Sequence, residues 1–358
     1  MADLLVYGSY GYTGALVARE AVDRGLDVVV AGRDRTAVEN QAVRLDCEER
    51  VVGLDEPRVL DLAMEAAPVV LNCAGPFVDT YEPVVEACLR TGTHYLDVTG
   101  EVAVFEALAA VDDRAREAGV TLLPGVGFDV VPTDCLAAHL AERVEDPTQL
   151  ALGFEAAGGM SPGTAKTTVR GLGDAGAVRR DGRIEHVPAG AVTRRIDFGN
   201  GERPGMAIPW GDVSTAYHTT GIPNVTVYTA ASPWVVRAVR AAGLLGPVLS
   251  AGPVRSALET LVERRVDGPD ERARETGVSY VWGEVVDADG RRAVSRLRGP
   301  ETYRLTKLAA LAVAERVLDS NPPAGFRTPA GACGPDLVLD VEGVERADEP
   351  VDARAASD

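Results

Sequence analysis

A chain of 358 residues is long enough for two domains with sizeable cores. Its formal net charge of −18 argues against nucleic acid and anionic membrane as principal partners. Its five cysteines are scattered without a C-x-x-C pair and its four histidines lie far apart, so neither a disulfide framework nor a metal site is expected. Only Lys166 and Lys307 are lysines among 36 cations. An acidic, lysine-poor surface suits high salt and predicts a halophilic source, with an arginine-favouring high-GC genome as the alternative.

The chain opens with Leu4-Leu5-Val6-Tyr7, an apolar strand. Asp3 interrupts the start, so no signal peptide is expected and the expected location is cytoplasmic. Then come Gly8-Ser9-Tyr10-Gly11-Tyr12-Thr13-Gly14 and a helical run over 15–22. Strand, glycine turn and helix hold a dinucleotide pyrophosphate: the turn brings backbone to the phosphates, and the helix start offers free N–H groups and a favourable dipole. Gly8, Tyr10, Gly11, Tyr12, Thr13 and Gly14 are therefore candidate cofactor residues. The spacing is G-x-x-G-x-x-G, and the plain alternative is an ordinary βα turn. Tyr10 and Tyr12 either stand over the cofactor, donate a proton or pack.

A second strand, 26–31, runs into Gly32-Arg33-Asp34-Arg35. An acid at this point binds the ribose hydroxyls of NAD, whereas an arginine accommodates the 2′-phosphate of NADP. Arg33 precedes Asp34 and Arg35 flanks it, so NADP is expected, with NAD as the alternative cofactor and a solvated helix start as the plain reading. Further strands are expected near 49–53, 68–73, 94–98 and 120–124, with helices at 82–91 and 103–118. Short apolar strands separated by helices predict an α/β fold with a doubly wound parallel sheet. Ligands in such sheets lie at the carboxyl ends of the strands. Asn72, Ala74, Gly75, Pro76 and Phe77 end strand four and are expected along the ribose and nicotinamide, unless they form only a tight turn. Asp97, Thr99 and Glu101 follow strand five. Asp97 is either catalytic or a loop anchor, and Thr99 with Glu101 could cap the helix from 102. Asp129 follows strand six as a hydrogen-bonding group, and Thr133 reads as an N-cap.

Beyond 131 the pattern changes. A helix at 133–144, strands near 150–155 and 226–229 and a hairpin about Asp287-Ala288-Asp289-Gly290 predict a second, α+β domain built around a mixed sheet. The Gly158–Thr168 turn places Lys166 as a candidate acid or base, with an exposed cation on a helix as the plain reading. Residues 234–265 carry a local charge of +3 and read as a peripheral membrane contact, a dimer contact, a substrate lid or a core helix. A long helix is expected over 302–319. The tail from Glu345 is acidic and reads as disordered. No Ser…Tyr-x-x-x-Lys arrangement supplies a proton donor.

Taken in order, Gly8–Gly14, Ala31-Gly32-Arg33, Asn72–Phe77, Tyr95–Glu101 and Gly127–Asp134 resemble the saccharopine dehydrogenase-like NADP-binding family, which includes the trans-acting enoyl reductases. The resemblance implies a Rossmann NADP-binding domain over 1–131, a substrate and dimerisation domain over 132–300, and a segment at 301–344 that returns to the Rossmann domain. The tail, 345–358, lies outside these. It implies that the end of strand five faces the nicotinamide, making Asp97 and Thr99 catalytic candidates. The expected function is hydride transfer to or from a C=C, C=O or C=N bond of a small or lipid-like substrate by a homodimeric oxidoreductase. The alternatives are a saccharopine-type imine dehydrogenase and a non-catalytic NADPH sensor.

Overall fold

The computed structural model describes residues 2–156, 161, 163–165, 176–244, 260, 266, 268–320 and 322–352. It divides into two compact units: residues 1–131 with 305–333, and residues 132–304 with 334–358.

The first unit is a parallel sheet. Its strands are β1 (Leu4–Tyr7), β2 (Val28–Gly32), β3 (Glu48–Val51), β4 (Val69–Asn72), β5 (His94–Asp97) and β6 (Thr121–Leu123). Their order across the sheet is β3-β2-β1-β4-β5-β6, and the returning segment adds Gly325–Phe326 beside β6. The order reverses between β1 and β4, the switch point at which this architecture holds its ligands. The strands are continuous Val, Leu and Ile-like runs because both faces are covered; Leu5, Val29, Val70, Tyr95 and Leu122 share one core. Each such aliphatic side chain contributes about 1.5–3 kcal/mol on burial.

The connecting helices are α1 (Tyr12–Asp23), α2 (Arg35–Leu45), α3 (Pro57–Met64), α4 (Phe77–Thr91), α5 (Val102–Ala110) and α6 (Asp112–Ala118). Helix α4 starts five residues before the expected 82. Pro83 lies inside it and lacks an N–H, which made the sequence read as a later start. The expected helix over 103–118 is broken at Val111, which leaves the helical region. The returning segment is shorter than the expected 301–344. Its helix, Thr302–Ser320, is tied to α1 by Lys307 Nζ on Glu20 Oε2 at 2.6 Å, so this lysine is structural.

The second unit is built on a mixed sheet of β7 (Pro147–Ala156), β8 (Gly176–Arg180), β9 (Arg183–Val187), β10 (Thr193–Asp197), β11 (Glu202–Ala207), β12 (Asn224–Ala230), β13 (Val278–Asp287) and β14 (Arg292–Pro300). Strands β7 and β12 are parallel and β7 and β13 antiparallel. Helices α7 (Val131–Ala141), α8 (Asp212–Thr220) and α9 (Pro233–Leu244) accompany it. Helix α7 begins two residues before Thr133, which therefore lies in its first turn and not at its cap. Gly283 lets α7 approach β13: a Cβ there would stand 2.6 Å from Leu140 Cδ1.

The tail is a correction. Residues Glu345–Asp348, expected to be disordered, form an antiparallel strand on β14, and Asp352 bridges Arg292. Tertiary partners supply what composition could not. Ser295 Oγ donates to Asp348 Oδ1 at 2.6 Å and His139 Nε2 stands 3.0 Å from the same oxygen. Partial burial opposes ionisation of Asp348, but these hydrogen bonds with the nearby Arg143 and His139 charges hold its carboxyl below the usual range. A depressed carboxyl stabilises above its unfolded pKa, and that contribution is lost as pH falls through the folded value. Backbone amide exchange in Arg346–Asp348 is accordingly expected to rise below about pH 4 while β13 stays protected, and Asp348→Ala should show the fast exchange already at neutral pH.

Candidate functional site

All the sequence-predicted cofactor positions fall at the carboxyl ends of β1, β2 and β4. The turn after β1 is dictated by two close approaches. Gly8 has a φ of +73°, and a Cβ there would meet the Ala74 backbone and side chain at 2.8 Å. At Gly14 a Cβ would stand 2.3 Å from the Gly8 carbonyl oxygen, so only glycine lets α1 start against the turn. Gly11 N–H donates to the Gly8 carbonyl at 3.1 Å. Helix α1 then starts with no side-chain cap and no acid in its first turn, so Tyr12, Thr13 and Gly14 present a backbone start suited to a phosphate.

A residue that sequence reasoning missed fixes this turn from below. Buried Gln41, on α2, accepts from Ser9 Oγ at 2.7 Å and donates to the Ser9 carbonyl at 2.8 Å. A lone glutamine on an amphipathic helix gives no such signal in the sequence, because its partner lies 32 residues away.

Tyr10 packs. Its ring lies on Gly32, where a Cβ would come within 2.5 Å of Cε1, and its hydroxyl accepts the Asp34 N–H at 3.4 Å. With Ala37, Asn40, Val43 and Arg44 it lines a shallow groove of about 480 Å³ beside α2. Asp34 caps α2, accepting the Ala37 N–H at 3.0 Å. Arg35 is exposed and pairs with Glu39 at 3.0 Å. Arg33 is exposed at the end of β2.

The ends of β4, β5 and β6 are joined by one hydrogen-bond network. Asn72 accepts the Ala74 N–H at 3.0 Å and donates to Thr80 Oγ1 at 3.3 Å and to the Tyr95 hydroxyl at 3.4 Å. Tyr95 in turn donates to Asp97 Oδ2 at 2.8 Å. The other Asp97 oxygen accepts the N–H groups of Thr99 and Gly125, each at 2.9 Å. Asp97 is fully buried; burial raises its pKa to about 6 against the pull of these donors. Both oxygens are committed inward, so the geometry is that of the loop anchor and not of a group facing a ligand. Thr99, also buried, accepts the Glu101 N–H at 3.1 Å.

Glu101 was read as part of a cap for the helix at 102. It instead caps α4: its oxygens accept the Phe77 N–H at 2.8 Å and the Val78 N–H at 3.2 Å. Its own helix, α5, has no side-chain cap. Pro76 and Phe77 thus begin a helix whose first donors are already satisfied. Gly75, beside them, is exposed, and a Cβ there would meet only the Phe77 ring at 3.6 Å. Burial and the Asp97 carboxyl push the Cys73 thiol up to about 12, which disfavours the thiolate.

Asp129 completes the rim. It follows β6, and a Cβ on Gly100 would stand 2.9 Å from its Oδ2. Burial, then the Glu101 charge, raise its pKa to about 7. Among the described residues no group of three or more His, Cys, Asp or Glu is placed to hold a metal. Lys166 lies outside the described residues.

The family model for the saccharopine dehydrogenase NADP-binding domain matches residues 4–123. The first unit is thus similar to a saccharopine dehydrogenase NADP-binding domain. This chain is 31% identical over 204 residues to a mouse protein named saccharopine dehydrogenase-like oxidoreductase, covering 49% of this chain and 47% of that one. It is 32% identical over 155 residues to a trans-acting enoyl reductase of Mycobacterium leprae, covering 41% and 37%. The chain thus spans about half the length of the curated relatives it matches. Apo saccharopine dehydrogenase (L-Glu forming) of Saccharomyces cerevisiae superposes with a TM-score of 0.66 over 98% of this chain and all of that one at 14% identity, which shows the shared fold.

The Gly8–Gly14 contact gives a direct expectation. Gly14→Ala should fold but lose its nucleotide site. At a hundredfold excess over Kd a bound ligand stabilises by about 2.7 kcal/mol. NADPH should therefore raise the Tm of the wild-type protein by several degrees and that of the variant not at all, read by thermal denaturation.

Proposed function

We propose that this protein is an NADPH-dependent reductase acting on an uncharged acceptor, a C=C or C=O bond in a lipid-like chain. The observation that carries it is the convergence of the glycine turn, Arg33, the Asn72–Phe77 loop and Asp129 on the carboxyl ends of one parallel sheet. NADPH supplies a hydride from its nicotinamide when bound. The residues then have four tasks. The Gly8–Gly14 turn and the start of α1 hold the pyrophosphate. Arg33 meets the 2′-phosphate. Exposed Gly75, which no packing inside the fold requires to be glycine, keeps the loop after β4 open to the cofactor's inner half.

Asp129 holds the proton. A carboxyl with a pKa near 7 is part-protonated at neutral pH, which suits it to give a proton to the atom beside the one that receives the hydride. Asp97, by contrast, is enclosed, and Tyr95 is neutral across the working range because burial and Asp97 lift its pKa well above 10.

The charge of the rim selects the acceptor. Asp97, Glu101 and Asp129 lie near the ends of β5 and β6, where burial first and the Glu101 charge second raise both aspartates. A saccharopine-type substrate with several carboxylates meets repulsion there, whereas an enoyl or keto group does not. The similarity to a trans-acting enoyl reductase supports the same choice. NADPH consumption with enoyl, keto and imine substrates tests it. Turnover of enoyl or keto acyl compounds is expected; preferential turnover of imines made from amino and keto acids would refute the acceptor class, and tight NADPH binding without turnover would favour a sensor.

Asp129→Asn should lower kcat about 100-fold. In the wild-type protein the reduction rate should fall as pH rises through about 7, because the donor form of Asp129 is lost; the variant should lack that limb.

A second reading concerns α9. Trp234 is 70% exposed at its start, Arg237 lies exposed one turn on, and the helix contains no acid in its first turn. This is the composition of an interfacial contact with anionic lipid. Trp282 is buried and Trp210 half-buried, so a blue shift of tryptophan emission on anionic vesicles is assigned to Trp234 by its loss in Trp234→Ala. Unchanged emission in the wild-type protein would refute the contact.

A further inference from the structure

Asp34 occupies the position, about twenty residues beyond the glycine turn, at which an acid in this architecture reads the ribose hydroxyls of NAD. Here one of its carboxylate oxygens is committed elsewhere. Oδ1 accepts the Ala37 N–H at 3.0 Å and makes Asp34 the N-cap of α2. Its own N–H points to the Tyr10 hydroxyl at 3.4 Å, and the Tyr10 ring rests on Gly32 at 2.5 Å from where a Cβ would be. The peptide that carries Arg33 is thus gripped on both sides. Gly32 is pinned under Tyr10, and Asp34 is pinned to α2 and to Tyr10. Arg33 itself is exposed, while Arg35 is drawn along α2 to Glu39.

We propose that Asp34 is a positioning residue for NADP selectivity: by capping α2 it withdraws its carboxylate from the ribose and sets Arg33 toward the 2′-phosphate. The inference rests on the NADP reading above. It assigns to the acid a role opposite to the one its place in the sequence suggests. An aspartate reading the ribose would favour NAD; an aspartate spent on a cap leaves the arginine to decide. Serine and asparagine cap helices about as well as aspartate and carry no charge, whereas alanine does not cap, so the two roles are separable.

The experiment titrates the full chain with NADPH and with NADH by nucleotide fluorescence, for the wild-type protein and for Asp34→Ala, Asp34→Ser, Asp34→Asn and Arg33→Ala. Circular dichroism confirms that each variant is folded. Asp34→Ala is expected to weaken NADPH about five- to tenfold, the size of a lost cap, and NADH less than about twofold. Asp34→Ser and Asp34→Asn should restore NADPH affinity to within about twofold, and Arg33→Ala should erase the preference for NADPH. Three outcomes overturn the proposal: no change in Asp34→Ala, no rescue by serine or asparagine, or a loss of NADH affinity in all three Asp34 variants, which would mean that the carboxylate reads the ribose. A wild-type protein that binds no NADPH would overturn the NADP reading itself and this proposal with it.

Discussion

The Asp97 carboxylate is the point on which the nucleotide-binding end of this sheet depends. It is fully buried, and it is tolerated there only because Tyr95, Thr99 and Gly125 give it three hydrogen bonds. Through Tyr95 it reaches Asn72, and through Asn72 the Ala74 and Thr80 turn. Three neighbouring strands therefore end in one connected polar network, and the loops that leave them have fixed directions. Removing one partner would leave the others buried and unsatisfied, which costs more than the bond itself.

This arrangement divides the acids at the strand ends by role. Asp97 anchors. Glu101 satisfies the start of α4, while the start of α1 has no side-chain cap. Asp129 is raised toward neutrality by burial and by Glu101. The same division holds at β2, where Asp34 is spent on α2 and Arg33 stays exposed. In each case a carboxylate near the strand ends is held by a backbone N–H, which separates the anchoring acids from the neighbouring exposed arginine.

Much of the first unit was legible because its signals are local. The apolar runs at Leu4–Tyr7, Val28–Gly32 and Val69–Asn72 are buried on both faces, and their burial shows directly in composition. The glycine turn is legible for the same reason, since Gly8 and Gly14 answer to contacts within a few residues or with a neighbouring strand. What was misread depended on distant partners. Helix α4 begins at Phe77 because Glu101 caps it from the loop after β5. The carboxyl-terminal strand is ordered because Ser295, His139 and β14 receive it. Composition alone made that segment look like a solvated acidic tail.

The sequence by itself determined the parallel nucleotide-binding sheet, the glycine turn and the arginine at the end of β2, because each follows from periodicity, steric demand or charge within a short stretch. Only the tertiary structure decided what the acids do. A carboxylate reads the same in a sequence whether it anchors a loop, caps a helix or carries a proton. The difference lies in which N–H groups and charges surround it, and those come from residues far along the chain.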